Sequence, residues 1–172
     1  SSFEELGGAR LISLWRKSPE AMESKQSSYL RGITRLDVPV LRAVPHVKSV
    51  TSLVSLRNRG LHADGGKRVS GDVVGADAPF LPFFRYRVAE GRALDHDDST
   101  QHSRVCVIGH DLADKLWGKG EQVLGRSVLV SGLHCKIVGR LAKLDRWGVG
   151  FGWEWDAVLI MPIETLADHE AT

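Results

Sequence analysis

The sequence predicts an α+β domain built on a mixed sheet, and three observations carry that expectation. Extended and helical patterns alternate along the chain rather than segregating. Two tight-turn signals, Ala63-Asp64-Gly65-Gly66 and Ser131-Gly132, each join a pair of strand-like runs. The chain has 172 residues, 42% of them hydrophobic, so one core can form without metals or a cystine framework.

Taken in order, Ala9 to Trp15 alternates as a short first strand would, and 19 to 28 turns polar like an exposed loop. A helix over about 35 to 44 follows. Thr34 is placed to cap it, Asp37 sits near its positive end, and Leu36, Val40, Leu41 and Val44 recur at helical spacing before Pro45. The runs 47 to 59 and 67 to 75 read as a hairpin. The segment 77 to 84, with Phe80, Phe83 and Phe84 between Pro79 and Pro82, reads as a turn or short helix presenting aromatics. Strands follow at 104 to 108, 127 to 130 and 133 to 141, with a helix at 111 to 117 that Gly118 and Gly120 close. A glycine and aromatic loop at 148 to 155 leads into a strand at 157 to 161, Pro162, and the start of a final helix from Ile163.

Composition excludes several function classes. The 23 Lys and Arg against 21 Asp and Glu give a formal charge of +2, dispersed along the chain, which leaves no nucleic-acid footprint. No apolar run approaches the roughly 20 residues that cross a bilayer. The chain opens Ser1-Ser2-Phe3 and ends Ala171-Thr172, and both ends read as cuts in a longer polypeptide. Cys106 and Cys135 each lie inside an apolar segment and read as two buried thiols; one disulfide between them is the alternative in an oxidising compartment.

Local signatures of catalysis are missing: there is no Gly-x-Ser-x-Gly, His-Glu-x-x-His or Cys-x-x-Cys. Gly60 to Lys67 has Gly66 where a phosphate loop needs lysine, and reads as the hairpin turn. Asp95, His96, Asp97 and Asp98 form the richest ligand cluster but lack the oxygen spacing of a calcium loop, so a solvated turn is expected there. His110 reads as a helix start. No catalytic, metal or cofactor-binding residue is therefore assigned, and no cofactor is expected. The rings Trp147, Phe151, Trp153 and Trp155 are the candidate partner-binding residues, since large amphipathic rings dominate contact energy at interfaces.

The order of short phrases along the chain adds a resemblance. The helix and Val-Pro-His-Val-Lys-Ser-Val of 36 to 50, Val69 to Gly75, Phe80 to Phe84, Glu90-Gly91-Arg92-Ala93-Leu94 and Val105 to Gly109 come first. Leu116-Trp117-Gly118, Leu124 to Val128, Cys135 to Gly139 and the strand ending at Pro162 follow. In this succession, over about 36 to 162, the chain resembles the periplasmic core domain of MacB-type ABC transporter permeases, a family that includes FtsX-like and LolC-like proteins. The resemblance implies a domain inserted between the first two membrane helices of an inner-membrane permease. It implies a porter-like α/β part over 1–75, a small inserted strand-rich α/β subdomain over 76–150, and a return strand with the start of a final helix over 151–172, the porter part being either truncated there or abbreviated in this member.

The role it implies is extracytoplasmic: coupling the cycle of a cytoplasmic ABC ATPase to a periplasmic adaptor, lipoprotein or other protein partner, or to substrate export. A homodimer is implied in the full permease, a monomer for the isolated piece. Two other readings stand beside it. One is a free-standing extracytoplasmic module binding a small ligand under the 148 to 155 loop; the other is a metal-dependent enzyme using Asp95 to Asp98.

Overall fold

A computed structural model describes residue 14, residues 35–144 and residues 154–170. The expected first strand and polar loop, the Thr34 cap, and Trp147, Phe151 and Trp153 lie outside the described residues. The chain divides into two compact units, Ser1–Val50 and Thr51–Thr172.

In the first unit the expected helix is shorter than its apolar period suggests. A 3-10 turn, Arg35–Asp37, leads into α1, Val38–Arg42, with Pro39 in the first turn where its missing N–H is harmless. Asp37 takes the cap position without a side-chain cap bond. Leu36 and Val40 are 73% and 67% exposed.

The second unit is built on seven strands. These are β1 (Leu53–Ala63), β2 (Arg68–Ala76), β3 (Val88–Gly91), β4 (Val105–Ile108), β5 (Ser127–Val130), β6 (Leu133–Leu141) and β7 (Val158–Pro162). The helices are α2 (Phe80–Phe83), α3 (His96–Thr100), α4 (His110–Trp117) and α5 (Ile163–Glu170). Strand order is β3-β6-β4-β7-β2-β1-β5, and β5 also pairs with β6. Six strands therefore close into a ring, with β3 attached outside it along β6. The sheet is mixed: β2–β7 and β4–β6 are parallel and the other pairs antiparallel. Closure leaves few free edges, which removes a template for unwanted strand pairing.

Side chains alternate between two cores across this sheet. Val73, Cys106, Ile108, Leu159 and Met161 face one core, which also takes Leu112, Ala113 and Leu116 of α4 and Leu166 of α5. Val74, Val107, Val158 and Ile160 face the other, covered by Phe80, Leu81, Tyr86, Leu94 and Trp155. Every residue of β7 is buried, as a central strand covered on both faces should be.

Three register slips interrupt the ladders; one lies in β3, between Val88 and Glu90, and the other two, in β1 and β6, change which residues face inward. In β1 the register with β2 slips between Leu56 and Arg59, where Asn58 has φ 50° and donates its N–H to Asp72. The extra residue lets even-numbered Leu56 and odd-numbered Leu61 face the same core. In β6 the register with β4 slips between Ile137 and Gly139. Leu133, Cys135 and Ile137 face the first core, yet Leu141 faces the second. The same slip turns Arg140 toward α4, where its guanidinium donates to Asp114 at 2.7 Å and to the His110 carbonyl at 3.2 Å.

The first hairpin strand is shifted from the expected 47 to 59: it begins at Leu53, with 47 to 52 outside any strand, and Gly60 sits within it rather than ending it, the bulge carrying the strand to Ala63. The hairpin turn is the predicted one, with Gly65 at φ 65°. The tip also serves α4: Lys67 N–H donates to the Leu116 carbonyl and Trp117 Nε1 donates to the Asp64 carbonyl, satisfying groups that a helix end leaves open. Ser131 and Gly132 both have positive φ, as the predicted β5–β6 turn requires.

Candidate functional site

Three polar or aromatic constellations stand out among the described residues. The first replaces the solvated turn expected at Asp95 to Asp98. Asp95 caps α3, its carboxylate accepting from the Asp98 N–H at 3.0 Å, while the Asp98 carboxylate accepts from the Asp95 N–H at 2.9 Å. This is a reciprocal capping box, with Asp where Glu or Gln is more usual. Arg92 then grips Asp98 with both guanidinium nitrogens, at 2.7 and 3.1 Å. The run differs from a solvated turn because Arg92, three residues upstream of Asp95, neutralises Asp98 and lets it turn inward as a cap.

Asp98 is only 5% exposed. Burial alone would raise its pKa, but the bonds from Arg92 and from the Asp95 backbone outweigh that and hold it below the ordinary carboxylate value. A carboxylate with a lowered folded-state pKa contributes stability above its unfolded pKa, near about 3.9, and loses it as pH falls through the folded value. Urea unfolding followed from neutral pH down through about pH 3 should therefore show an acid-sensitive component. It should be missing in Asp98→Asn, which should also be less stable at neutral pH by about 1 kcal/mol or more through the weakened cap. Parallel pH profiles for the two proteins would show that the box does not carry this stability.

The second constellation lies at the start of α4. His110, Asp111 and Asp114 bring possible ligand atoms within 4.8 Å of one another, a grouping beyond the helix start expected at His110. Its signal was the spacing i, i+1, i+4. The charges are already answered from the protein: Arg140, 8% exposed, holds Asp114, Lys143 stands 3.9 Å from Asp111, and His110 Nδ1 lies 2.9 Å from Asp111. Asp156 sits nearby and accepts from the Leu144 N–H at 2.9 Å. Burial, with a smaller contribution from Asp111, raises its pKa against that hydrogen bond. This arrangement ties α4, β6 and the segment after β6 together electrostatically, and a cation entering it would have to displace arginine.

The third is aromatic. Trp155, expected among the partner-facing rings, is instead a core side chain at 5% exposure. Its ring stacks on Phe80 at 5.8 Å and packs against Phe84 at 5.4 Å and Tyr86 at 4.9 Å. Phe80 and Tyr86 are buried with it, so the aromatics of 77 to 86 build the second core more than they present a surface. Burial also raises the Tyr86 phenol well above its usual value, with Asp156 and Asp111 adding to the effect. These three constellations thus offer packed rings and neutralised carboxylates.

Comparison with known proteins decides the family. The model of the MacB-like periplasmic core domain matches residues 1–172. The chain belongs to that family. Among curated relatives, the macrolide export ATP-binding/permease protein MacB 2 of Yersinia pestis bv. Antiqua is 29% identical over 140 residues, covering 81% of this chain and 20% of the relative. The MacB 1 of Aeromonas hydrophila subsp. hydrophila is 30% identical over 116 residues, covering 67% of this chain and 17% of the relative. This MacB-like domain therefore spans about a fifth of the length of such relatives.

Solved structures agree on the fold. The periplasmic region of MacB from Actinobacillus actinomycetemcomitans superposes with a TM-score of 0.69 at 16% identity, over 92% of this chain and 67% of that one. The extracellular domain of the noncanonic ABC-type transporter YknZ from Gram-positive bacteria gives 0.68 at 21% identity, over 81% and 67%. No described helix of the MacB-like domain is long and apolar enough to cross a membrane.

Proposed function

We propose that this MacB-like domain is the extracytoplasmic part of an ABC transporter permease, transmitting the ATP cycle of a cytoplasmic ATPase to a protein partner outside the membrane or to exported substrate. The observation that carries the reading is the family match over the whole chain. The physical character of the second unit supports it. A closed ring with two tightly packed apolar cores resists deformation, and a body that relays force or contact needs stiffness more than a reactive cleft. In this reading the domain does no chemistry of its own, and the permease works as a homodimer.

We further propose the division that the family resemblance implies, a porter-like part of 1–75 with 151–172 and an inserted 76–150. Its support is topological: the chain leaves the sheet at the end of β2 and returns beside it as β7, in parallel register from Asp72↔Val158 to Ala76↔Pro162. The inserted stretch supplies β3 to β6 to the same sheet as β1, β2 and β7. Partner contact is proposed at Trp147, Phe151 and Trp153, whose segment joins two anchored ends, Leu144 and Asp156.

The test is a full-length permease in which this domain is replaced by a flexible linker. ATP hydrolysis should persist while export or partner recruitment is lost. Export at the native rate through the linker variant would refute the reading.

A further inference from the structure

The two cysteines come together in the first core. Cys106 on β4 and Cys135 on β6 are 0% and 1% exposed, and both belong to that core. In the parallel β4–β6 register Val105 faces Lys136 and Cys106 faces Ile137, so Cys135 lies diagonally from Cys106 on the same face of the sheet. Their sulfurs stand 2.7 Å apart, both as free thiols. Unbonded carbons already rest at about 3.5–4.0 Å and sulfur is larger, so two thiols that are merely packed should stand further apart. A covalent bond needs about 2.0 Å. The remaining gap is less than an ångström, and the β6 bulge begins at the next register pair, where a strand takes up extra twist readily.

We propose that Cys106 and Cys135 are joined by a disulfide in the mature protein, a covalent tie between the parallel strands β4 and β6. The inference rests on the extracytoplasmic placement, because thiols pair durably only in an oxidising compartment. The oxidant is the disulfide of an extracytoplasmic thiol–disulfide oxidoreductase. One cysteine thiolate attacks a sulfur of that disulfide, breaking its S–S bond and expelling one oxidant thiolate, to leave a mixed disulfide. The second cysteine thiolate then attacks the protein sulfur of the mixed bond and expels the other. Two protons leave the cysteines, two electrons pass to the oxidant, one S–S bond forms and one breaks.

Order of events follows from burial. Once folded, neither sulfur is open to an oxidant, and burial pushes the Cys106 thiol up so that little thiolate exists. Oxidation therefore precedes closure of the ring, on the chain as it folds. The bond then closes a loop between residues 29 apart in sequence, and loop-closure entropy favours the folded state on the order of one hundredfold.

The experiment uses the full-length protein in its own cells. Cells are quenched in acid, the protein is denatured without reductant, free thiols are blocked with a maleimide, and peptides are mapped by mass spectrometry. The expected result is one linked pair of peptides carrying Cys106 and Cys135, lighter than the separate peptides by two hydrogens, in nearly all molecules. Maleimide on both cysteines in most molecules would overturn the proposal.

Protease added outside spheroplasts tests placement separately. A domain that is cleaved from outside yet carries two blocked thiols keeps its extracytoplasmic reading and loses the disulfide; a domain that is protected and reduced loses both. Protein synthesised under dithiothreitol should lose its protease-resistant domain on the order of one hundredfold faster, and unchanged lifetimes would likewise sink the tie.

Discussion

Gly139→Ala is expected to destabilise the domain by about 3 kcal/mol or more, because the new methyl has nowhere to go. Gly139 of β6 faces Gly91 of β3. A Cβ at Gly139 would lie 2.1 Å from the Arg92 carbonyl oxygen, and one at Gly91 would lie 2.1 Å from the Val138 carbonyl oxygen. Both obstacles are backbone atoms, so no rotamer change relieves them. The close approach is fixed on either side: Arg92 N–H donates to the Val138 carbonyl at 3.0 Å, and β6 has just passed its bulge. Relief therefore requires β3 to separate from β6, which pulls Arg92 away from Asp98 and loosens the capping box of α3.

Gly65→Ala separates the two possible reasons for needing glycine. Gly65 has φ 65° but nothing within 4 Å of an added Cβ. Its replacement should cost only the left-handed backbone penalty, about 1–2 kcal/mol. Urea denaturation of the 172-residue domain would measure both. If Gly139→Ala unfolds no more easily than Gly65→Ala, the β3–β6 contact is not the close one described.

These backbone contacts mark the boundary of what was legible in the sequence. Elements defined by a local pattern were readable: β4, β5, β6, α4 and both turns fall where periodicity and Gly placement put them, because each is specified within a dozen residues. Elements defined by a partner far away were not. β3 spans only Val88–Gly91 with one partly buried side chain, so its existence depends on β6, some 50 residues on. Asn58 and Val138 carry no signature that announces a bulge, and each inverts which residues face inward. Arg140 illustrates the consequence. One residue before the end of β6, it is aimed at Asp114 by the slip at Val138. The family resemblance was legible where local phrases follow in order, whereas the aromatic site was not, because burial of a ring is decided by the core it meets rather than by its neighbours in sequence.

Trp155→Ala turns that last point into a measurement with opposite outcomes. A ring serving a partner surface can be removed with little effect on folding and a large effect on affinity. A ring at 5% exposure, in contact with Phe80, Phe84 and Tyr86, leaves a cavity that three other rings cannot fill without abandoning their own contacts. Large-to-small changes of this kind cost about 3–5 kcal/mol, so Trp155→Ala should unfold at much lower urea than the parent. Trp155→Phe, which keeps an aromatic plane in the stack, should lose about half as much or less. The effect should also travel along the chain. Trp155 precedes Asp156, whose carboxylate holds the Leu144 N–H, so hydrogen exchange at Leu144 should accelerate in the alanine variant while β2 and β7 stay protected. Native-like stability in Trp155→Ala would mean that the ring is not seated in the second core, and would return it to the set of surface aromatics that the sequence alone suggested.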